Sequence, residues 1–381
     1  MRLRRVLRKV ALLVLVVLFA GAGYLGWVGI QRSQPLDLPA PTGAYAVGRT
    51  TYDWTDTARK DPFSPEAGTP RKLSVWIWYP VSPSTTGPRV PYAPGPWDGL
   101  HLKGPAGLLQ GSFDTFRDRA LDDAPVAPSR FPVVVLQPGM GFSAPQYAAL
   151  AEDLASHGYL VAGFTPTYSA NLTVLDGQTV GSTEQAKPDD LDEHGDRIVQ
   201  VWAADARFVA TTLAALDEGP LEGRVNPATK VSYVGHSFGG AASLEACRLD
   251  PRCGAAIDLD GTQYGEVVKT GLKAPFLLVG SEDSCITGSC GQQAKDDTAD
   301  LERARSLIKA STAAKWCATV DGARHFNFTD YGAYYLAWPL RAALPLGDID
   351  PERALTIQNG YAVTFLDHAI RGTAAPGAPT C

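Results

Sequence analysis

Within Lys230-Val231-Ser232-Tyr233-Val234-Gly235-His236-Ser237-Phe238-Gly239-Gly240, one serine stands between glycines placed two residues away on either side. A β-branched apolar run leads in, and the helix-favouring Ala241-Ala242-Ser243-Leu244-Glu245-Ala246 leads out. That order predicts a strand, a sharp turn and a helix, which lifts a strained serine hydroxyl clear of the sheet as a nucleophile. Gly235 and Gly239 leave room for so tight a turn. The plainer reading is a Gly-rich turn in which Ser237 caps the following helix. The flanking elements favour the nucleophile.

A serine needs a base to take its proton, an acid to orient the base, and N–H donors for the oxyanion. In a strand–elbow–helix arrangement both partners follow the serine, acid before base. Only His325 and His368 lie downstream. His368 falls in a helical stretch, whereas His325 lies in a loop after the last predicted strand, where an imidazole reaches back to the elbow. His325 is therefore the candidate base. Three aspartates compete as the acid. Asp260 stands at the tip of Gly254–Asp260, just before Gly261, and is preferred. Asp283 follows the next strand and is the first alternative. Asp258, two residues short of the tip, reads as a support that bonds nearby backbone. For the oxyanion, the amide of Phe238 follows the nucleophile, and the amide of Met140 lies in Gln137-Pro138-Gly139-Met140-Gly141 after an earlier strand. His236 lies inside the elbow, turned from the hydroxyl or packed beside it. Spacing among His101, His157 and His194 suggests no metal site, and no cofactor is expected.

The elements that must hold these groups alternate. Strands are expected at Leu73–Tyr79 (ended by Pro80), 133–136, 159–164, 230–235, 255–259, 275–280 and 315–320. A helix capped by Ser143 runs to about His157, with Gly158 as its left-handed terminator. A long amphipathic helix carries Ile198, Trp202, Val209 and Leu213, and Asp205 breaks its apolar stripe. Another helix spans Ala354–Ile370. Residues 82–130 are Pro-rich, with a short helix expected around Leu108–Asp118, and residues 166–192 read as an insertion or lid. Such alternation predicts an α/β fold with a mostly parallel central sheet covered on both faces.

Composition sets outer limits. A chain of 381 residues, 45% hydrophobic and 19% charged, suits one large domain, and a net charge of −6 without a basic stripe excludes a nucleic-acid partner. Arg2, Arg4, Arg5, Arg8 and Lys9 precede Val10–Ile30, 21 residues without a charge. That run is long enough to span a bilayer, with its basic flank cytoplasmic. An uncleaved signal-anchor is expected. A signal peptide cut near Ala20-Gly21-Ala22 is the rival, and would release a secreted protein. Six cysteines, all beyond this segment, fit an oxidising compartment. Short separations suggest Cys247–Cys253 and Cys285–Cys290, leaving Cys317–Cys381; buried free thiols are the alternative. The expected organisation is a signal-anchor or transmembrane segment at 1–31, a linker at 32–48, a catalytic domain at 49–372 and a tail at 373–381.

The chain also resembles the platelet-activating factor acetylhydrolases and their bacterial relatives. The resemblance rests on Trp76-Ile77-Trp78-Tyr79-Pro80, Phe131–Val135 leading to Gly139-Met140-Gly141, Asp153–Tyr159, Gly235–Gly240, His325-Phe326-Asn327-Phe328 and Gly347-Asp348-Ile349-Asp350. It spans about residues 50–371. It implies an α/β-hydrolase that cleaves short or oxidised sn-2 acyl esters of phospholipids without calcium. Ser237, His325 and Asp260 fall on its triad, and Met140 and Phe238 on its oxyanion donors. The family's oxyanion loop usually begins His-Gly, where this chain has Pro138-Gly139. Rival readings are a cutinase-like or lipase-like hydrolase with Asp283 as acid, and a silent scaffold that binds a ligand. Nothing in the sequence sets the oligomeric state.

Overall fold

Residues 2–116, 119–216, 219–225, 230–290 and 298–381 are described by a computed structural model. The first element, α1 (Arg2–Gln31), reaches a mean hydropathy of 2.3 and exposes its apolar stretch. By length and composition it suits a membrane span or a signal sequence.

The body follows as β1 (Ala46–Lys60), β2 (Pro70–Val81), β3 (Leu121–Asp122), β4 (Val133–Gln137), α2 (Ala148–Ser156) and β5 (Leu160–Thr165). A small hairpin, β6 (Thr173–Leu175) and β7 (Gln178–Val180), precedes α3 (Leu191–Ala214). Then come β8 (Val231–His236), α4 (Phe238–Leu249), β9 (Cys253–Leu259), α5 (Val267–Thr270) and β10 (Phe276–Ser281). The chain closes with α6 (Thr298–Ala310), β11 (Lys315–Val320), α7 (Leu340–Ala343) and α8 (Pro351–Arg371).

Among the described residues the main sheet runs β11-β10-β9-β8-β4-β5-β2-β1-β3. From β5 to β11 every pairing is parallel, while β2 joins β5 and β1 antiparallel. Alternation along β4 sends Val134 and Leu136 to one face, with Leu150 and Leu154 of α2 and Leu355 and Leu366 of α8. Val133 and Val135 go to the other, with Val209 and Leu213 of α3 and Leu244 of α4. A strand buried on both faces reads as the continuous apolar run seen here.

Several expectations need correction. β1 begins at Ala46, within the predicted linker, and was not foreseen as a strand; its outer positions are half exposed, so Thr50, Thr51, Asp53 and Thr55 dilute the apolar signal. Pro80 does not end β2. It pairs with Val47 on the β1 side and lies beyond Trp78, the last β5 partner, so no ladder bond needs its missing N–H. The insertion at 166–192 contains the hairpin β6–β7, which the sequence reading did not include: Asp176 and Gly177 both take positive φ (49° and 74°), the two-residue turn an Asp-Gly pair favours. The expected helix around Leu108–Asp118 is replaced by 3-10 turns at Gly104–Leu109 and Phe113–Thr115; Asp118 lies outside the described residues. Asp205, which breaks the apolar stripe of α3, is fully buried and finds partners, at 2.7 Å from Arg71 Nη2 and 2.8 Å from Arg59 Nη2, with Arg71 also donating to Asp61 at 2.9 Å. Cys247–Cys253, Cys285–Cys290 and Cys317–Cys381 are all bonded as the spacing suggested.

Candidate active site

The elbow forms because each small residue around it is required. A Cβ on Gly235 would sit 2.1 Å from the Gly239 carbonyl, one on Gly239 2.3 Å from the Pro138 carbonyl, and one on Gly240 1.9 Å from Asp258 Oδ1. β8 can thus turn straight into α4. The turn leaves Ser237 at φ 56°, ψ −128°, held by its N–H donating to the Leu259 carbonyl at 2.8 Å and its carbonyl accepting from Gly240 N–H at 2.8 Å. Such a conformation costs a non-glycine residue about 1–3 kcal/mol, met here by the packed strands around it.

Two side chains from distant loops complete a chain of hydrogen bonds. His325 Nε2 lies 2.9 Å from Ser237 Oγ, and His325 Nδ1 lies 2.7 Å from Asp260 Oδ2. With Nδ1 donating to the carboxylate, Nε2 is left to accept the serine proton. Asp260 projects from just past β9 and is 6% exposed. Its Oδ1 accepts the Ser281 N–H at 2.7 Å, and its Oδ2 lies 3.0 Å from the Ser281 hydroxyl. Burial pushes this carboxyl up, yet the hydrogen bond and charge of His325 and the Ser281 amide together hold it below its ordinary value.

The other two aspartates stand elsewhere. Asp283 meets the far side of the Ser281 hydroxyl at 2.9 Å and faces Arg324 at 3.9 Å. Asp258 is fully buried under the turn, where it accepts from Gly261 N–H at 2.9 Å and Gln263 Nε2 at 3.2 Å. Burial pushes its carboxyl well above the ordinary value. His368 remains on α8, bonded to the Thr373 carbonyl at 2.7 Å.

Two sequence blocks hold the histidine loop. Asn327 Oδ1 accepts the N–H of Arg324 at 2.9 Å and that of Gly347 at 2.8 Å, so the His-Phe-Asn-Phe and Gly-Asp-Ile-Asp blocks lock together. Asp330 then ties the loop to the start of α2, accepting from Ala148 N–H at 2.8 Å.

Against Ser237, where a Cβ on Gly139 would lie 3.1 Å from the serine Cβ, Gly139-Met140-Gly141-Phe142 forms a tight turn closed by a 2.9 Å bond from Phe142 N–H to the Gly139 carbonyl. Gly141 has φ 82°, which the third position of a type II turn demands. The first inner position of such a turn, Met140, keeps its N–H outside the turn's own bond. Phe238, the first residue of α4, follows the serine directly, so its N–H belongs to the first turn of that helix and has no intrahelical acceptor to meet.

Ser237, His325 and Met140 line one cleft of about 450 Å³. Leu100, Leu172, Phe142, Phe326 and Tyr331 give it apolar walls, and His101, Lys103 and Asn171 add polar ones. The stretch 99–103 and Asn171-Leu172 carried no motif; only their positions in the Pro-rich segment and the insertion hinted at a site. Trp76, Trp78 and Phe328 belong to the core, while Phe326 reaches the cleft. The arrangement can remove a proton from a hydroxyl, direct it at a carbonyl and bind the resulting oxyanion.

The comparisons agree with that chemistry. The family model "Platelet-activating factor acetylhydrolase, isoform II" matches residues 213–372. A protein of Arthroderma benhamiae described as a probable 1-alkyl-2-acetylglycerophosphocholine esterase is 24% identical, over 88% of both chains. Platelet-activating factor acetylhydrolase of Canis lupus familiaris is 25% identical over 62% of this chain. That match spans 56% of the dog protein, so the chain covers little more than half of this mammalian relative. Among solved structures, a ferulic acid esterase from Streptomyces cinnamoneus superposes with a TM-score of 0.74 and 31% identity, covering 90% of this chain and 95% of that one. The chain belongs to the platelet-activating factor acetylhydrolase family of the α/β-hydrolase superfamily and is a carboxylic ester hydrolase.

Proposed function

We propose that this protein is a serine esterase of the extracytoplasmic side that cleaves short-chain acyl esters, including short sn-2 acyl groups of phospholipids. In this reading residues 49–372 form the catalytic domain and α1 tethers it to the membrane, basic end inward. Ser237 Oγ attacks the ester carbonyl while His325 Nε2 takes its proton. Asp260 holds the imidazole in the tautomer that leaves Nε2 free and stabilises the charge that develops on it. The amides of Met140 and Phe238 receive the oxyanion. Collapse of the tetrahedral intermediate expels the alcohol, protonated by His325, and leaves an acyl-serine. Water, deprotonated by the same imidazole, then releases the acid. The single observation that carries this reading is the unbroken path from Ser237 Oγ through His325 to Asp260, at 2.9 and 2.7 Å, opening into the cleft.

A short acyl chain suits a cleft of about 450 Å³ that must also admit part of the alcohol. Near full-length similarity to a ferulic acid esterase favours a second reading, in which Phe142, Phe326 and Tyr331 receive an aromatic acyl group. A panel of p-nitrophenyl acetate, butyrate and octanoate, methyl ferulate and 1-alkyl-2-acetylglycerophosphocholine separates them. The first reading expects turnover to fall at least tenfold from acetate to octanoate, with the acetylated phospholipid cleaved. Preference for methyl ferulate supports the second. Fluorophosphonate labelling that persists in Ser237→Ala would sink both.

A further inference from the structure

His236 is fully buried directly beneath the site, and both of its ring nitrogens are committed. Nδ1 lies 2.8 Å from the hydroxyl of Tyr147, and Nε2 lies 3.0 Å from the main-chain carbonyl of His325. Tyr147 is buried as well, and its oxygen accepts the N–H of Gly139 at 2.8 Å. Only one proton arrangement satisfies every atom. A carbonyl cannot donate, so Nε2 carries the hydrogen. Nδ1 therefore accepts, and the tyrosine hydroxyl donates to it while receiving the glycine amide. Burial, aided by the neighbouring His325, lowers the His236 pKa well below its usual value, so the ring stays neutral, as the arrangement requires.

The path thus runs from Gly139 N–H through the Tyr147 hydroxyl and the His236 ring to the His325 carbonyl. Its ends matter. Gly139 immediately precedes Met140, whose amide the reading above assigns to the oxyanion, and the far end is the backbone of the residue that carries the base. His236 itself is bonded in sequence to Ser237. Sheet contacts alone do not link the loop after β4 with the loop after β11, since those strands lie far apart in the sheet.

We propose that His236 is a positioning residue, joining the oxyanion loop and the base loop so that both keep register with the serine between them. This rests on the triad reading given above. It goes further by assigning the elbow's histidine and Tyr147 a role in transition-state geometry without contact to substrate. Misplacing reacting groups by about 1 Å costs roughly 10²-fold, which sets the scale expected when the link is cut.

The test uses the full chain and p-nitrophenyl acetate, with folding followed by near-UV circular dichroism and thermal melting. His236→Gln keeps a donor for the His325 carbonyl but removes the acceptor for Tyr147, and Tyr147→Phe removes the hydroxyl. Each is expected to lower kcat by roughly 10- to 100-fold with KM within about twofold, in protein that remains folded. Both changes cut one link, so the double variant is expected to be no slower than Tyr147→Phe alone. Folded single variants with parental kcat, or losses that multiply in the double variant, would overturn the proposal. So would a kcat that merely follows the folded fraction. Ser237→Ala run alongside separates the two levels: full activity there ends the triad reading, whereas an inactive Ser237→Ala beside a parental Tyr147→Phe ends only the positioning role.

Discussion

Replacing Asp260 by asparagine asks the most of the active-site geometry. Ser281 N–H donates to Asp260 Oδ1 at 2.7 Å, so an asparagine would keep its oxygen there and turn its amide nitrogen toward His325 and the Ser281 hydroxyl. An N–H would then face His325 Nδ1 across 2.7 Å where a carboxylate oxygen now accepts. The imidazole can relieve that clash only by moving its proton to Nε2. That nitrogen would then donate toward Ser237 Oγ and could no longer take its proton. In triads where this swap leaves geometry intact, kcat falls about 10⁴-fold, or about 5.4 kcal/mol in activation free energy. Asp260→Asn is expected to lose that much on p-nitrophenyl acetate while retaining a cooperative melt. Asp258→Asn and Asp283→Asn, which leave the His325 contact in place, are expected to retain kcat within about tenfold whenever folded. A loss at Asp260 of less than tenfold, or a greater loss at Asp283, would refute the reasoning and move the acid to the neighbouring strand.

Two further outcomes follow from buried and bridged groups. In the unfolded chain the His236 imidazole titrates near its ordinary value of 6.5, whereas burial keeps it neutral in the fold. The unfolded state therefore binds the extra proton as pH falls below 6.5, and this site's share of stability declines by up to about 1.4 kcal/mol per pH unit. Urea melts between pH 5 and 7.5 should show that slope in the parent and its loss in His236→Gln; parallel curves would remove the assignment. Removing the Cys317–Cys381 bridge, whose ends are 64 residues apart, frees a loop worth about 4 kcal/mol of unfolded-state restriction. The double serine variant should melt several degrees lower, and an unchanged melting temperature would place the stabilisation elsewhere.

Local chemistry made much of this legible in advance. The elbow was readable because a β-branched strand, flanking glycines and a helix former leave few conformations open. Asp260 stood out as the last residue before Gly261, and that position does clear the strand end to meet His325. What escaped depended on partners far along the chain. β1 has half its positions in solvent, so its pattern is too polar to announce a strand. Asp205 breaks an apolar stripe and so calls for a partner, but which one is not legible locally, since Arg71 lies 134 residues earlier. Tyr147 read as one more residue of a capped helix, since nothing nearby reveals that its hydroxyl meets His236, 89 residues on. The Leu100–Lys103 wall of the cleft is likewise set by a fold-back, with Gln110 accepting the Leu102 N–H at 2.8 Å.

β11 is the last strand at its end of the sheet, and its free side is occupied by the final residues of the chain. Thr380 bridges to Trp316, Cys317 N–H donates to the Pro379 carbonyl at 2.9 Å, and Cys381 N–H donates to the Lys315 carbonyl at 3.3 Å. An uncovered border strand is a template for another molecule's strand, so this short strap acts as a guard against self-association. Its latch is covalent, through Cys317 and Cys381. Under reducing conditions the guard is held by a few main-chain bonds alone, and the molecule's resistance to clumping becomes a property of where it is made.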